Sequence, residues 1–415
     1  MNPLERAARR RQLRFALVTL VLAVVPAFLL APDGAGQRAT FVLADARGER
    51  VVLEPLQVAV TPTVVTLAVL IALLGALQLV RDLGRRAPVA VGAAAGLLVL
   101  AVLVWAGAGE SVSVVALLRG TLFAAVPIAF GAMAGVLSER AGVINIAIEG
   151  QFLGGAFAAA VLASVVGSAW AGLLGGVVAG ALIGVLLALL TIRYQADQIV
   201  SGVVLIVLAT GVTSFLTSQL LSVNPDWNSP VRFQATAVPV LGDIPLLGSI
   251  VFRQTMLVYL MLITVVVLQF ALFRTRWGLR LRSVGEHPAA ADTVGIDVLR
   301  TRFRAVVLGG VLAGVGGSWF TLEAASQFAK EMTAGRGFIA LAAMLVGRFS
   351  PVGALSAALL FGFSDALATA LQRLPVPLPS TLLRTAPYVV TLLVVAGLIG
   401  RLRVPAADGK PYVKA

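Results

Sequence analysis

Between two long apolar runs of this 415-residue chain lies the passage Leu137-Ser138-Glu139-Arg140-Ala141-Gly142-Val143-Ile144-Asn145-Ile146-Ala147-Ile148-Glu149-Gly150, charged and interrupted by glycine. Hydrocarbon tolerates a carboxylate and a broken helix only where protein or a water-filled cavity surrounds them. The passage therefore points to a solute path through a membrane. Asn145 and Glu149 stand four residues apart, on one face if the segment is helical, where they can bind a polar solute or brace the broken helix. Glu139 and Arg140 suit the cytoplasmic boundary. Arg348 and Asp365 can pair, line the path or anchor helix ends. The neighbours Trp319 and Phe320 can stack a solute in the path or join an interfacial aromatic belt.

Other chemistry is poorly represented. The chain has no cysteine, which excludes disulfides and thiolate metal sites, and its single histidine, His287, cannot form a multi-histidine centre. No nucleophile and base, and no cluster of Asp, His and Cys, appears within the apolar runs, so a membrane-embedded enzyme is the weakest class. The formal charge of +13 raises nucleic acid as a partner. No basic stretch is interleaved with stacking aromatics, and arginines anchoring cytoplasmic loops explain the charge better.

The elements that must position these residues follow from composition. With 59% hydrophobic residues, 12% charged residues and a mean hydropathy of +0.98, the chain is a polytopic membrane protein. The expected fold is an all-α transmembrane helix bundle with about 10–12 spans, some of them broken or re-entrant. A span needs about 20 residues to cross ~30 Å of hydrocarbon. After an arginine-rich start, Phe15–Pro32 is uncharged and reads as an uncleaved first helix, followed by an exported loop of about Ala31–Glu54. Pro55–Val80, Ala87–Gly109, Gly120–Ser138, Gln198–Pro225, Gln254–Phe273 and Ala305–Leu322 each read as one span. Gly150–Ile192 is long enough for two, with a turn at Gly167-Ser168-Ala169-Trp170. Then come the 11-residue run Gly337–Gly347, a turn at Ser350-Pro351-Val352-Gly353, an apolar run holding Asp365, and Thr385–Gly400. Short, interrupted segments of this kind resemble cavity-lining half-helices.

Twelve crossings with both termini inside place 22 of the 32 Lys and Arg residues on the cytoplasmic side, as the positive-inside rule requires. Small residues recur at four-residue spacing in Gly131/Gly135, Gly150/Gly154, Gly176/Gly180/Gly184 and Gly310/Gly314. Such spacing lets helix backbones approach closely, which speaks to architecture rather than chemistry. The basic loop 274–304 contains Pro288, able to start a short helix, helix-prone Ala289–Val294, and Gly295, able to end it. It is either a lever for a soluble partner or a solvated positive-inside loop.

The passage Leu137–Gly150, continued by Gln151-Phe152-Leu153-Gly154-Gly155-Ala156-Phe157, resembles the Ser-Glu-Arg-x-Gly-x-x-Asn-Ile-x-x-Glu-Gly stretch of nucleoside and simple-sugar ABC importer permeases. Gly278–Ile296 is similar to that family's cytoplasmic coupling loop, and Gly335–Ala343 through Gly347–Pro351 to its third characteristic stretch. The three occur in the family's order over about Val112–Arg401.

The resemblance implies a permease subunit of an ATP-driven importer, related in fold to ribose and branched-chain amino acid permeases. It would move nucleosides or related simple sugars across the plasma membrane by alternating access. Implied partners are an ABC ATPase subunit, a second permease subunit in a homo- or heterodimer, an extracytoplasmic solute-binding lipoprotein, the small-molecule substrate and membrane lipid. No nucleic acid is implied. The chain has no phosphate-binding loop, so it would bind no cofactor, and ATP would be used by the partner. Residues 1–109 would be extra N-terminal transmembrane helices with the exported loop, 110–403 the permease core and 404–415 a cytoplasmic tail. The substrate path would draw on Asn145, Glu149, Gly150, Trp319, Phe320, Arg348 and Asp365, with Asn145 and Glu149 able to meet a ribose or base. The coupling loop would use Gly278, Arg280, Gly285, Glu286, Pro288, Ala289, Ala290, Gly295 and Ile296, and no metal is expected. An ion-coupled secondary transporter of small polar solutes is the alternative reading of the same broken helices.

Overall fold

Uncharged runs become helices because a backbone in hydrocarbon must satisfy its own hydrogen bonds. The computed structural model describes residues 3–30, 36–43, 54–374 and 404–413. Nine helices among them are long and apolar enough to cross a membrane, and the first helix adds a shorter apolar stretch, Gln12–Ala27. That gives ten, the lower end of the expected range. Thr385–Gly400 lies outside the described residues.

The described residues fall into two compact units. One is drawn from Met1–Leu118, Val240–Ile250 and Ala366–Ala386, the other from Arg119–Pro239, Val251–Asp365 and Pro387–Ala415. In the first, α1 (Pro3–Val24), α2 (Val60–Val80) and α3 (Ala87–Ala106) pack together. Buried Gln78 donates to Thr19 Oγ1 at 3.1 Å, tying α2 to α1. Part of the connection expected as an exported loop is strand: β1 (Arg38–Val42) pairs antiparallel with β2 (Leu56–Ala59) and parallel with β3 (Ser111–Ser113). The β-branched residues of these short segments suit pleated backbone.

The second unit holds most of α4 (Val114–Arg140), then α5 (Ile148–Val166), α6 (Ala169–Ala188) and α7 (Gln198–Leu216). The 43-residue uncharged run divides into α5 and α6 at Gly167, whose φ of +71° ends the first helix. A two-stranded pair, β4 (Thr236–Ala237) and β5 (Arg253–Gln254), precedes α8 (Met256–Arg274). There follow α9 (Arg276–Glu286), α10 (Pro288–Thr293), α11 (Val298–Trp319), α12 (Arg336–Val346) and α13 (Pro351–Leu371). Helices α5, α6 and α11 are the most closely packed. Gly176, Gly180 and Gly184 of α6 meet Gly310 and Gly314 of α11 backbone to backbone: a Cβ at Gly184 would lie 3.2 Å from Gly310 Cα. Two of the small-residue stripes thus face each other. At 11 residues, α12 is about 16 Å long and cannot cross hydrocarbon alone.

Candidate functional site

The charged passage 137–150 turns α4 into α5. Helix α4 stops at Arg140, Gly142 takes a left-handed φ of +86°, and the Val143 amide returns to the Ser138 carbonyl at 3.0 Å. Helix α5 begins only at Ile148, so Asn145 lies in the connection and shares no helix face with Glu149. The four-residue spacing suggested otherwise, but the break at Gly142 delays the helix. Asn145 Nδ2 donates to Gln151 Oε1 at 3.3 Å, while Asn145 Oδ1 and Gln151 Nε2 are buried without a hydrogen-bond partner.

Glu149 turns to α12. Its Oε1 accepts from Thr333 Oγ1 at 2.7 Å and the Gly335 amide at 2.8 Å, and its Oε2 from the Gly337 amide at 2.6 Å. Helix starts leave such amides open, and a carboxylate also complements the positive end of the helix dipole. The approach requires glycine at 337, where a Cβ would lie 2.6 Å from Glu149 Cα. Gly150 likewise serves close contact, with a Cβ there falling 3.0 Å from the Leu205 carbonyl oxygen.

The same passage holds the other end of α12. Arg140 Nε donates to the Phe349 carbonyl at 2.9 Å, and its guanidinium lies 5.7 Å from the Phe273 ring and 6.0 Å from the Phe349 ring. An anion therefore sits at the start of the half-helix and a cation at its end, nine positions apart in the chain.

Trp319 and Phe320 lie in the interior, 4% and 2% exposed, not in an interfacial belt. Phe123 and Trp319 are 4.9 Å apart, Phe152 and Phe320 6.0 Å, between ring centroids. Trp319 Nε1 is buried with no hydrogen-bond partner. Arg336, the first residue of α12, is 5.8 Å from the Phe320 ring and 3.2 Å from Asp365 Oδ2. Asp365 thus pairs with Arg336 rather than Arg348. Arg348 is exposed beyond the far end of α12, about 16 Å along the helix, with φ +53°.

Sequence reasoning missed the roles of Arg336, Thr333, Gln151 and Glu323. Arg336 sits between two glycines at the start of an apolar run, a position that suits a helix-start residue. Glu323 falls one residue beyond the expected span Ala305–Leu322, yet it is buried and accepts from Thr255 Oγ1 at 2.7 Å and the Leu257 amide at 2.9 Å. It closes the start of α8 as Glu149 closes that of α12.

The basic loop contains two helices. Thr275 caps α9, Pro288 occupies the first turn of α10, and Gly295 follows with φ +82°, as its residue types predict. Helix α9 stands where the sequence predicts loop; Leu281 and Val284 on its inner side bury it, whereas Arg280 and Glu286 are exposed. A Cβ at Gly278 would meet the Ala271 and Leu272 carbonyls, and one at Gly285 the carbonyl of Arg140. His287, Ala289, Ala290 and Gly295 are exposed, while Pro288 and Ile296 are half-buried. The described part of the tail, 404–413, packs on this pair of helices.

The three stretches that resemble one family thus converge on Arg140: it belongs to the first, its carbonyl meets the second at Gly285, and its guanidinium binds the third at Phe349. A profile described as branched-chain amino acid transport system / permease component matches residues 117–398. The guanosine ABC transporter permease protein NupQ of Bacillus subtilis is 40% identical over 304 residues, 71% of this chain and 95% of the relative. The nucleoside ABC transporter permease protein NupC of Lactococcus lactis is 40% identical over 298 residues, 70% of this chain and 94% of the relative. No solved structure matches. Convergent stretches, membrane-length helices and matches over most of the chain agree, and the chain belongs to the family of permease components of the branched-chain amino acid transport type, as a multi-pass membrane protein.

Proposed function

We propose that this chain is the membrane-spanning subunit of an ATP-driven importer of nucleosides, working in the plasma membrane with both termini on the cytoplasmic side. The observation that supports it most is the meeting of α9, α12 and the 137–150 passage at Arg140. A push on α10 passes through α9 to the clamp on α12, and Arg336 at the opposite end of that half-helix touches Phe320 and Asp365. Such a linkage suits alternating access, in which two states are biased from both sides of the membrane. ATP is hydrolysed by a separate subunit on the exposed side of α10, and this chain binds no cofactor. A second permease completes the pair, and an extracytoplasmic lipoprotein delivers the solute.

The names of the two relatives support a nucleoside. Trp319 Nε1, Asn145 Oδ1 and Gln151 Nε2 are among the buried polar atoms without a partner, and a second state that opened the interior would offer them, with the Phe320 ring, to a nucleoside's hydroxyls and base. Glu149, with three donors already bound, braces α12 and does not serve as a ligand. The test is guanosine uptake into proteoliposomes holding the complex recovered from native membrane in mild detergent, its subunits identified by mass spectrometry. Uptake should require ATP and the lipoprotein, and other nucleosides should compete. Uptake by the chain alone, following a proton or sodium gradient, would replace this reading with ion-coupled secondary transport.

A further inference from the structure

The C-terminal segment 404–413 joins elements that the coupling motion must move together. On one side it holds α9 and α10. The Ala407 amide donates to the Gly285 carbonyl at 2.9 Å, the Ala406 amide to Glu286 Oε2 at 3.3 Å, and Tyr412 Oη to Asp292 Oδ2 at 3.0 Å. The Tyr412 ring packs against a buried cluster of Val284, Ala291 and Val298. On the other side it holds the ends of α4 and α11. Arg302 Nη1 donates to the Lys410 carbonyl at 2.8 Å, and the chain just past α4 approaches the segment so closely that a Cβ at Gly142 would lie 3.1 Å from the Ala407 carbonyl oxygen.

Helix α10 needs such support. It has six residues, far below the length at which an isolated helix holds in water, and only Ala291 of its own side chains is buried. It is joined to α9 through His287 alone, and it ends at a left-handed glycine. A force applied to so short a piece would be absorbed at those joints unless another element bridged them.

We propose that segment 404–413 is a clasp that makes α9 and α10 move as one body with the inner ends of α4 and α11, with Tyr412 and Asp408 as its positioning residues. The inference rests on the reading of α10 as the seat of an ATPase, but the clasp has a readout of its own. In the purified full chain, Tyr412→Phe removes one hydroxyl and should raise hydrogen exchange at amides 289–294 at least threefold. Unchanged exchange there overturns the clasp whether or not an ATPase is present. In the assembled transporter, Tyr412→Phe, which removes the donor, should lower the solute moved per ATP at least threefold, whereas Asp292→Asn, whose amide oxygen still accepts from Tyr412, should lower it less. ATP hydrolysis and recovery of the ATPase should persist. An unchanged ratio, or equal falls in uptake and hydrolysis, would overturn the transmitting role. A wild-type complex with no ATPase would remove the functional reading and leave the exchange test standing.

Discussion

Glu149 accepts three hydrogen bonds from one helix start, which supports bracing over solute binding. A carboxylate already saturated by amides and a hydroxyl has little capacity left for a solute. Glu149→Gln keeps the size but loses the charge and puts a donor against amide donors. It should lower stability by about 2 kcal/mol, in line with charge-assisted bonds to a buried acceptor, read as thermal unfolding in detergent. Wild-type stability with weakened solute binding would return Glu149 to the path. Asp408 gives a pH dependence. Burial pushes its carboxyl up to about 6, against a lowering by the neighbouring Glu139 carboxyl, the Gly409 amide and the Arg302 guanidinium. A raised acid stabilises docking fully below its ordinary value near 4, and the contribution is lost as pH rises through about 6. A fluorophore on Val413→Cys should therefore be more mobile at pH 7.5 than at pH 4.5, by anisotropy, and Asp408→Asn should flatten the difference.

Elements here are held by backbone proximity and by end caps from distant segments. The α6–α11 contact tolerates no side chain at Gly180, where a Cβ would lie 2.5 Å from Gly314 Cα. Gly180→Val should cost about 3 kcal/mol or prevent folding, since backbone on both sides cannot give way. Gly211 of α7 is a control: a Cβ there meets nothing within 4 Å. Gly211→Ala should be neutral or stabilise by up to about 1 kcal/mol through helix propensity. Size-exclusion melting curves of the two variants would separate close packing from mere glycine content. The stripe was legible because four-residue spacing marks one helix face. Its partner was not, since many small-residue pairs recur in the chain and spacing alone does not choose between them.

For the whole molecule, the arginine distribution predicts that Glu54 and Val294 face opposite sides of the membrane. Because the chain lacks cysteine, Glu54→Cys should react with an impermeant maleimide on intact cells, and Val294→Cys only after permeabilisation. Labelling in the reverse order would invert the topology. Membrane class, the positions of most spanning helices, the break at Gly142, the Pro288–Gly295 helix and the family resemblance follow from the sequence by itself. These depend on run length, charge placement and local backbone preference, which are properties of neighbouring residues. Only the tertiary structure decided which polar groups meet. Glu149 and Gly337 are 188 residues apart, Arg140 and Phe349 209, and Tyr412 and Asp292 120. A buried polar group must find a partner, but nothing in its own surroundings along the chain says which of many distant donors and acceptors packing will bring to it.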